Sequence, residues 1–235
     1  AKRGTIYDRN GNILATSNKV YNVVLDCKAV NADEDYLDPT VNALVTIFGL
    51  DEGELRTRLT SDKTRESQYQ IVKKQVSMDD KKAFEDYCSI PDDTEMTREE
   101  IQEKNNIQGV WFEEDYLRVY PYNELACDTL GFTFSRDTAD YGIEGYYNSS
   151  LTGIRQYGYF SDDSNVEQTI IEASDGNSLE LSLDLGTQQI VEKWVNAFKE
   201  STGAKNIGVI VEDPSSGEIL AMDGGDRYDL NDPRN

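Results

Sequence analysis

The 235-residue chain has no histidine, only three cysteines and five prolines, and no apolar run near membrane-spanning length. Without imidazole there is no Ser-His-Asp or Cys-His nucleophile system, no zinc site built on histidine and no ordinary near-neutral proton shuttle. Chemistry here would have to run on carboxylate, lysine, tyrosine or serine. Cys27, Cys88 and Cys127 are odd in number and widely spaced, with no C-x-x-C. That pattern argues against a disulfide framework or a metal knuckle and for buried thiols. Basic residues are scarce as well: 23 against 45 acidic gives a formal charge of −22. Such a surface repels phosphate backbones, which excludes nucleic acid as a partner. The best apolar stretches, 42–48 and 207–211, fall far short of the roughly 20 residues a span requires, and no signal peptide opens the chain.

What remains is enough for a packed core: 37% of residues are hydrophobic and 10% aromatic, over a length that suits one large or two ordinary domains. Asn10-Gly11 predicts a tight hairpin between strands 5–8 and 12–15, with a further strand over 20–26. From residue 32 to about 106 the pattern becomes helical and charged. Helices are expected over 41–48, stopped by Gly49, and over 51–59 and 79–87; Thr97-x-x-Glu100 is a capping box opening another, and 68–76 reads as a strand. Strand character returns over 107–120, then a helix over 123–130, then strands over 154–160 and 166–173 around a polar tip. A half-buried strand, 178–183, leads to the clearest helix. Asp184 caps it, Thr187, Ile190, Val191, Trp194, Val195 and Phe198 share one face, and Gly203 ends it. A hairpin of 208–212 and 218–222 closes the chain.

Generic catalytic signatures are missing. There is no phosphate loop and no G-x-S-x-G elbow. Asp8, Asn10 and Asn12 imitate the start of a calcium loop, but Ile13 and Lys19 stand where glycine and glutamate belong. Carboxylates are too abundant to single out an acid–base pair: Glu113 and Glu114 are strand neighbours and point to opposite faces. The tyrosines read as strand and core residues with hydroxyls reaching the surface.

Ordered motifs carry the reading further. Arg3-Gly4-Thr5-Ile6-Tyr7-Asp8-Arg9-Asn10-Gly11, continuing to Ala15, resembles the first motif of class B penicillin-binding proteins. Arg118-Val119-Tyr120-Pro121, with Ala126 and Gly131, is similar to their second motif, and Tyr141-Gly142-Ile143-Glu144, with Tyr147, Leu151 and Gly153, to the third. Asp175-Gly176, Leu183-Asp184 and Gln188 resemble the strand-to-helix entry into the transpeptidase domain. Asp213-Pro214 with Gly217-Glu218-Ile219-Leu220-Ala221-Met222 resembles that domain's first hairpin, and Tyr228-Asp229-Leu230-Asn231 the segment after it. The matches fall in family order and cover most of the chain apart from 32–106.

The resemblance implies an α+β fold: an elongated β-rich pedestal, or dimerisation domain, over 1–177 with a small α/β head lobe inserted at 32–106. Residues 178–235 would be the first helix and β-hairpin of a penicillin-binding transpeptidase domain. The motif residues are expected to hold the pedestal together, with Arg3, Arg9, Arg118 and Glu144 pairing through forked guanidinium contacts. None is expected to be catalytic. The family's S-x-x-K, S-x-N and K-T-G motifs are absent, so this stretch should bind neither stem peptides nor β-lactams, which belong to the full-length protein. The resemblance further implies an N-terminal membrane anchor preceding residue 1 and an extracytoplasmic location in a bacterium. The implied partners are cell-wall synthesis proteins, foremost a polytopic peptidoglycan glycosyltransferase, or a second copy in a homodimer. No cofactor or metal is expected. The competing reading is a free-standing cell-wall adhesion module without enzymatic activity.

Overall fold

Gly11 sits at φ +81°, a left-handed turn position, and closes the first hairpin, in which β1 (Ile6–Tyr7) runs antiparallel to β2 (Ile13–Leu25) with Ile6 opposite Ala15. The computed structural model describes residues 1–91, 95–134, 138–154 and 174–234. Of the strands expected over 154–160 and 166–173, only Ile154 falls among the described residues, and it bridges Ser174. The two strands expected over 12–15 and 20–26 are one, because the polar residues between them stay extended: Ser17 is buried beneath Arg118 and Thr16 meets Thr5.

The chain divides into two units, Ala1–Asn18 with Leu117–Asn235, and Lys19–Tyr116. In the latter, β3 (Gln70–Val76) and β4 (Val110–Val119) both pair with β2. A four-residue turn of helix, α1 (Cys27–Val30), follows β2. Around the sheet lie α2 (Leu37–Phe48), α3 (Glu52–Thr60), α4 (Met78–Cys88) and α5 (Arg98–Asn105). Their ends follow the capping residues in the sequence. Gly49 takes the left-handed cap of α2, Asp51 accepts from the Glu54 N–H, and Ser77–Asp80 and Thr97–Glu100 form capping boxes. The core is apolar: Val23, Leu25, Val41, Leu44 and Leu59 are fully buried, and the rings of Phe48, Phe84 and Phe112 meet at 5.5–6.2 Å.

The other unit contains α6 (Cys127–Leu130), α7 (Gly142–Tyr146), α8 (Asn148–Leu151), β5 (Leu179–Glu180), α9 (Leu185–Thr202) and the ribbon β6 (Val209–Glu212) and β7 (Ile219–Asp223). β5 pairs parallel with β1, and β6 antiparallel with β7. The helix expected over 123–130 shrinks to α6 because Asn123 and Ala126 hold left-handed φ values of 50° and 52°, which a right-handed helix cannot accommodate. Helices α1, α7 and α8 escaped the sequence reading because a single turn has no periodicity to detect. Cys27 and Cys127 are buried, Cys88 is half-buried, and all three are free.

The face of α9 also departs from expectation. Val195 is buried, but so are Gln188 and Glu192, whereas Ile190, Trp194 and Phe198 are 60%, 66% and 52% exposed. The apolar stripe points outward because the polar side chains on the neighbouring stripe bond to main chain elsewhere in the unit, as described next.

Candidate functional site

Among the described residues, three buried polar clusters lie in the unit formed by residues 1–18 and 117–235, and most of the motif residues meet in them. The first centres on Glu144, fully buried on α7. Arg3 Nε donates to its Oε2 at 2.7 Å and Arg118 Nε to its Oε1 at 2.7 Å. Arg3 Nη2 also reaches the Glu144 carbonyl, and the Tyr120 hydroxyl donates to Oε1 at 3.1 Å. The guanidiniums also donate to the scaffold, except that Arg118 Nη2 is buried without a hydrogen-bond partner. Arg3 donates to Asn148 and Thr152, and Arg118 to the Gly4 carbonyl and Ser17. Two cations on one carboxylate leave a buried positive charge distributed over neutral acceptors, which a carboxylate held by two planar forks makes tolerable. Burial, reinforced by the Glu144 charge, pushes the Tyr120 phenol far above its usual range.

Glycines let these chains approach so closely. A Cβ on Gly4 would lie 1.8 Å from the Asn177 carbonyl oxygen, which no side chain can satisfy. Gly142 combines φ +63° with a Cβ position 2.6 Å from the Gly131 nitrogen.

The second cluster anchors the N-terminus of α9. Asp8, with no exposed surface, accepts from the N–H groups of Asn10 and Asn12 at 2.8 Å through Oδ1, and from Asn12 Nδ2 and the Leu185 N–H through Oδ2. Burial opposes its ionisation, but these donors outweigh it and hold the carboxyl below its ordinary value. Asp184 caps the same helix by accepting from the Thr187 N–H at 2.7 Å, and also accepts from Asn10 Nδ2 at 2.8 Å. The calcium-like spacing of Asp8, Asn10 and Asn12 is thus used on a helix end, and among the described residues no group of acidic or thiol ligands is arranged to hold a metal.

The third cluster joins α9 to β7 and to the segment before α6. Gln188 pairs with the Met222 main chain on both sides: its Oε1 accepts the N–H and its Nε2 donates to the carbonyl, each at 2.9 Å. Glu192 Oε1 accepts from Gln188 Nε2 and from the N–H of Ala126 at 2.7 Å, fastening the residue whose backbone is left-handed. Asp223, buried, takes both ends of the Arg227 guanidinium at 2.6 and 2.7 Å. Burial opposes its ionisation, but the arginine holds its carboxyl low. Asn231 then returns to Tyr120, exchanging hydrogen bonds with its N–H and carbonyl at 3.0 Å.

Other motif residues stand apart from these clusters. Arg9 does not join Glu144 but lies 3.4 Å from Glu218, both well exposed. Pro121 is exposed, and Tyr147 stacks edge-on against Tyr146. Gly153 packs against the Ser174 carbonyl. Asp213 and Gly217 close the turn of the β6–β7 ribbon, with the Gly217 N–H donating to the Asp213 carbonyl. The sequence reading passed over Glu192, Asp223 and Arg227; the signal for Glu192 was its position one helical turn after Gln188. Chemically the three clusters offer fixed charges whose polar atoms are mostly hydrogen-bonded; the exceptions among the described residues of these clusters are Arg118 Nη2 and Arg227 Nε, the latter lying 3.7 Å from Glu192 Oε2. No serine in the chain is followed three residues later by lysine, and the buried carboxylates Asp8, Glu144, Glu192 and Asp223 are committed to scaffold donors.

Residues 1–181 match the family model described as the Penicillin-binding Protein dimerisation domain. Stage V sporulation protein D of Bacillus subtilis is 24% identical over 97% of this chain and 33% of its own length. The peptidoglycan D,D-transpeptidase FtsI of Escherichia coli is 25% identical over 97% and 36%. The chain therefore spans about a third of these relatives. The fold is similar to that of penicillin-binding protein 2X from Streptococcus thermophilus, at a TM-score of 0.73 and 24% identity over 100% of this chain and 36% of that one. It is similar also to a Helicobacter pylori complex of penicillin-binding protein 2 with MreC, at a TM-score of 0.61 and 23% identity over 98% and 42%. With the family model covering most of the chain and the motif residues gathered around Glu144 and the start of α9, this chain belongs to the penicillin-binding protein dimerisation-domain family, as a module of a class B penicillin-binding protein.

Proposed function

We propose that residues 1–177 form a non-catalytic pedestal and that residues 178–235 open a penicillin-binding transpeptidase domain which the pedestal positions. The intact protein, on this reading, is anchored in a bacterial membrane, faces the cell exterior and cross-links peptidoglycan through an acyl-serine intermediate. The observation that carries the reading is the two-sidedness of α9. One side, through Gln188 and Glu192, is tied by hydrogen bonds to β7 and Ala126; the other presents Ile190, Trp194 and Phe198 in the open. A helix fixed on one face and apolar on the other is built to carry a second layer. On this reading the module also docks cell-wall synthesis proteins, as the naming of MreC in the Helicobacter pylori complex suggests.

A fluorescent penicillin tests the catalytic side. The 235-residue chain should acquire no covalent label, while the full-length protein should be labelled at a serine outside residues 1–235. Labelling of the 235-residue chain itself would overturn the proposal, as would a full-length protein that takes none.

A further inference from the structure

We propose that the outer edge of β4, over Val110 to Glu114, receives an extended segment of a partner protein in which aliphatic residues alternate with lysine or arginine. The inference rests on the reading that the module docks other proteins, and not on transpeptidase activity.

Among the described strands β4 pairs with β2 alone. The Asp26 N–H donates to the Gly109 carbonyl, so residue 109 and, by the two-residue repeat, residues 111 and 113 direct their main-chain groups toward β2. Val110, Phe112 and Glu114 then turn theirs outward. Tyr116 is next in that outward series, and its N–H is taken by the Asp115 carboxylate, which ends the open stretch. An edge of this kind is a template for one more strand.

The two faces beside the edge differ, and the difference selects the occupant. On one face, α4 and β4 enclose an open groove of about 520 Å³ with Phe84, Cys88, Val110 and Phe112 in its lining and Lys81, Glu85, Ser89 and Trp111 also bordering it. Its floor is the Phe84–Phe112 ring pair, centroids 5.6 Å apart. Side chains of an added strand that point to this face enter an apolar slot and gain by being aliphatic. On the other face Trp111 lies 6.3 Å from Tyr69, whose hydroxyl donates to Glu113 at 2.7 Å. Side chains pointing there meet an indole and a carboxylate, the pair of surfaces that lysine and arginine satisfy through cation–π and ionic contact. The charge balance agrees: residues 19–116 hold 12 basic and 23 acidic side chains, so 12 − 23 = −11.

A fluorescein-labelled heptapeptide of alternating valine and lysine is the probe, added to the whole chain. Two controls accompany it: a valine–glutamate peptide, and the valine–lysine peptide N-methylated along one edge so that charge is kept and pairing is lost. The expected result is binding about tenfold tighter than either control, with slowed hydrogen exchange at Val110, Phe112 and Glu114. Glu113→Lys should weaken the probe about fivefold or more while leaving the melting temperature in place. Equal binding of the N-methylated peptide, absence of binding, or protection elsewhere would overturn the site. If a purified wall-synthesis partner binds Glu113→Lys as well as the parent chain, the docking reading stands and this edge does not.

Discussion

The two units solve the problem of cohesion in opposite ways. The 19–116 unit is held by non-directional apolar packing, with Leu44 and Leu59 fully buried and three phenylalanine rings in mutual contact. The unit of residues 1–18 and 117–235 adds to its own apolar cluster a set of buried ionic and amide contacts that join residues more than a hundred positions apart, such as Arg3 to Glu144. Apolar packing accepts many residues of about the right volume. A carboxylate between two guanidinium forks accepts almost none, since a substitution on either side strands a buried charge. This contrast explains why the motifs that reveal the family lie in one unit and are missing from most of the other.

The largest effect should come from the centre of the ionic cluster. Glu144→Ala leaves the Arg3 and Arg118 side chains, 4% and 6% exposed, without a counter-ion, and should cost about 3–5 kcal/mol of unfolding free energy. Denaturant titration measures the loss, and hydrogen exchange resolved by unit shows where it falls. A loss under about 1 kcal/mol, the size of an exposed pair, would break the contrast.

Conservative swaps sharpen it further. Arg3→Lys keeps the charge but offers three protons on one nitrogen for the four acceptors that Arg3 reaches from three, the Glu144 carboxylate and carbonyl, Asn148 and Thr152, and should cost about 1.5–3 kcal/mol. Leu44→Met in the apolar core keeps volume and should cost less than about 1.5 kcal/mol. Measured side by side by urea unfolding, equal losses would show that the two units do not differ in tolerance.

Acid should discriminate as well. Asp8, Asp184 and Asp223 have folded-state pKa values below their unfolded ones. Their contribution is therefore fully present above about pH 3.9, the unfolded value, and is lost as pH falls through the lower folded values. Asp128 acts in the opposite sense: burial, with the Asp226 and Asp223 charges, raises its carboxyl, so it relieves the fold when protonated. Asp8→Asn sets an amide donor against the Leu185 and Asn12 donors and should cost about 1–2 kcal/mol at neutral pH. It should also flatten the decline in urea midpoint between pH 5 and pH 2, both values set by the range over which such carboxylates titrate, about two units to either side. An unchanged acid limb would show that Asp8 is not part of it.

Much of the fold was legible because it is written in local chemistry. Caps and turns at Gly11, Gly49, Thr97, Asp184 and Gly203 were read from one or a few neighbouring residues, and the structure puts element ends there. The motif order gave Arg3, Arg118 and Glu144, and the geometry adds which acceptor each nitrogen finds. What stayed hidden depended on distant partners. The break at Ala126 requires Glu192, sixty-six positions away, to hold its N–H. Arg9 looked equivalent to Arg3 in the motif, yet the hairpin carries it to Glu218. In α9, periodicity identified an amphipathic helix but not its inner side, because the amide of Gln188 replaces a strand partner for Met222 and makes a polar stripe the buried one.

The smallest expected effect bears on that reversal. Trp194 is 66% exposed, so Trp194→Gln in the 235-residue chain removes little packing and should change stability by no more than about 0.5 kcal/mol. In the full-length protein the same substitution would place an amide against the second layer that α9 is proposed to carry, and should lower the melting temperature measurably. A buried polar group without a partner costs about 1–3 kcal/mol, several times the effect in the shorter chain. If both proteins respond alike, the open stripe is merely surface, and the comparison between a helix face tied by hydrogen bonds and one awaiting apolar cover fails at this helix.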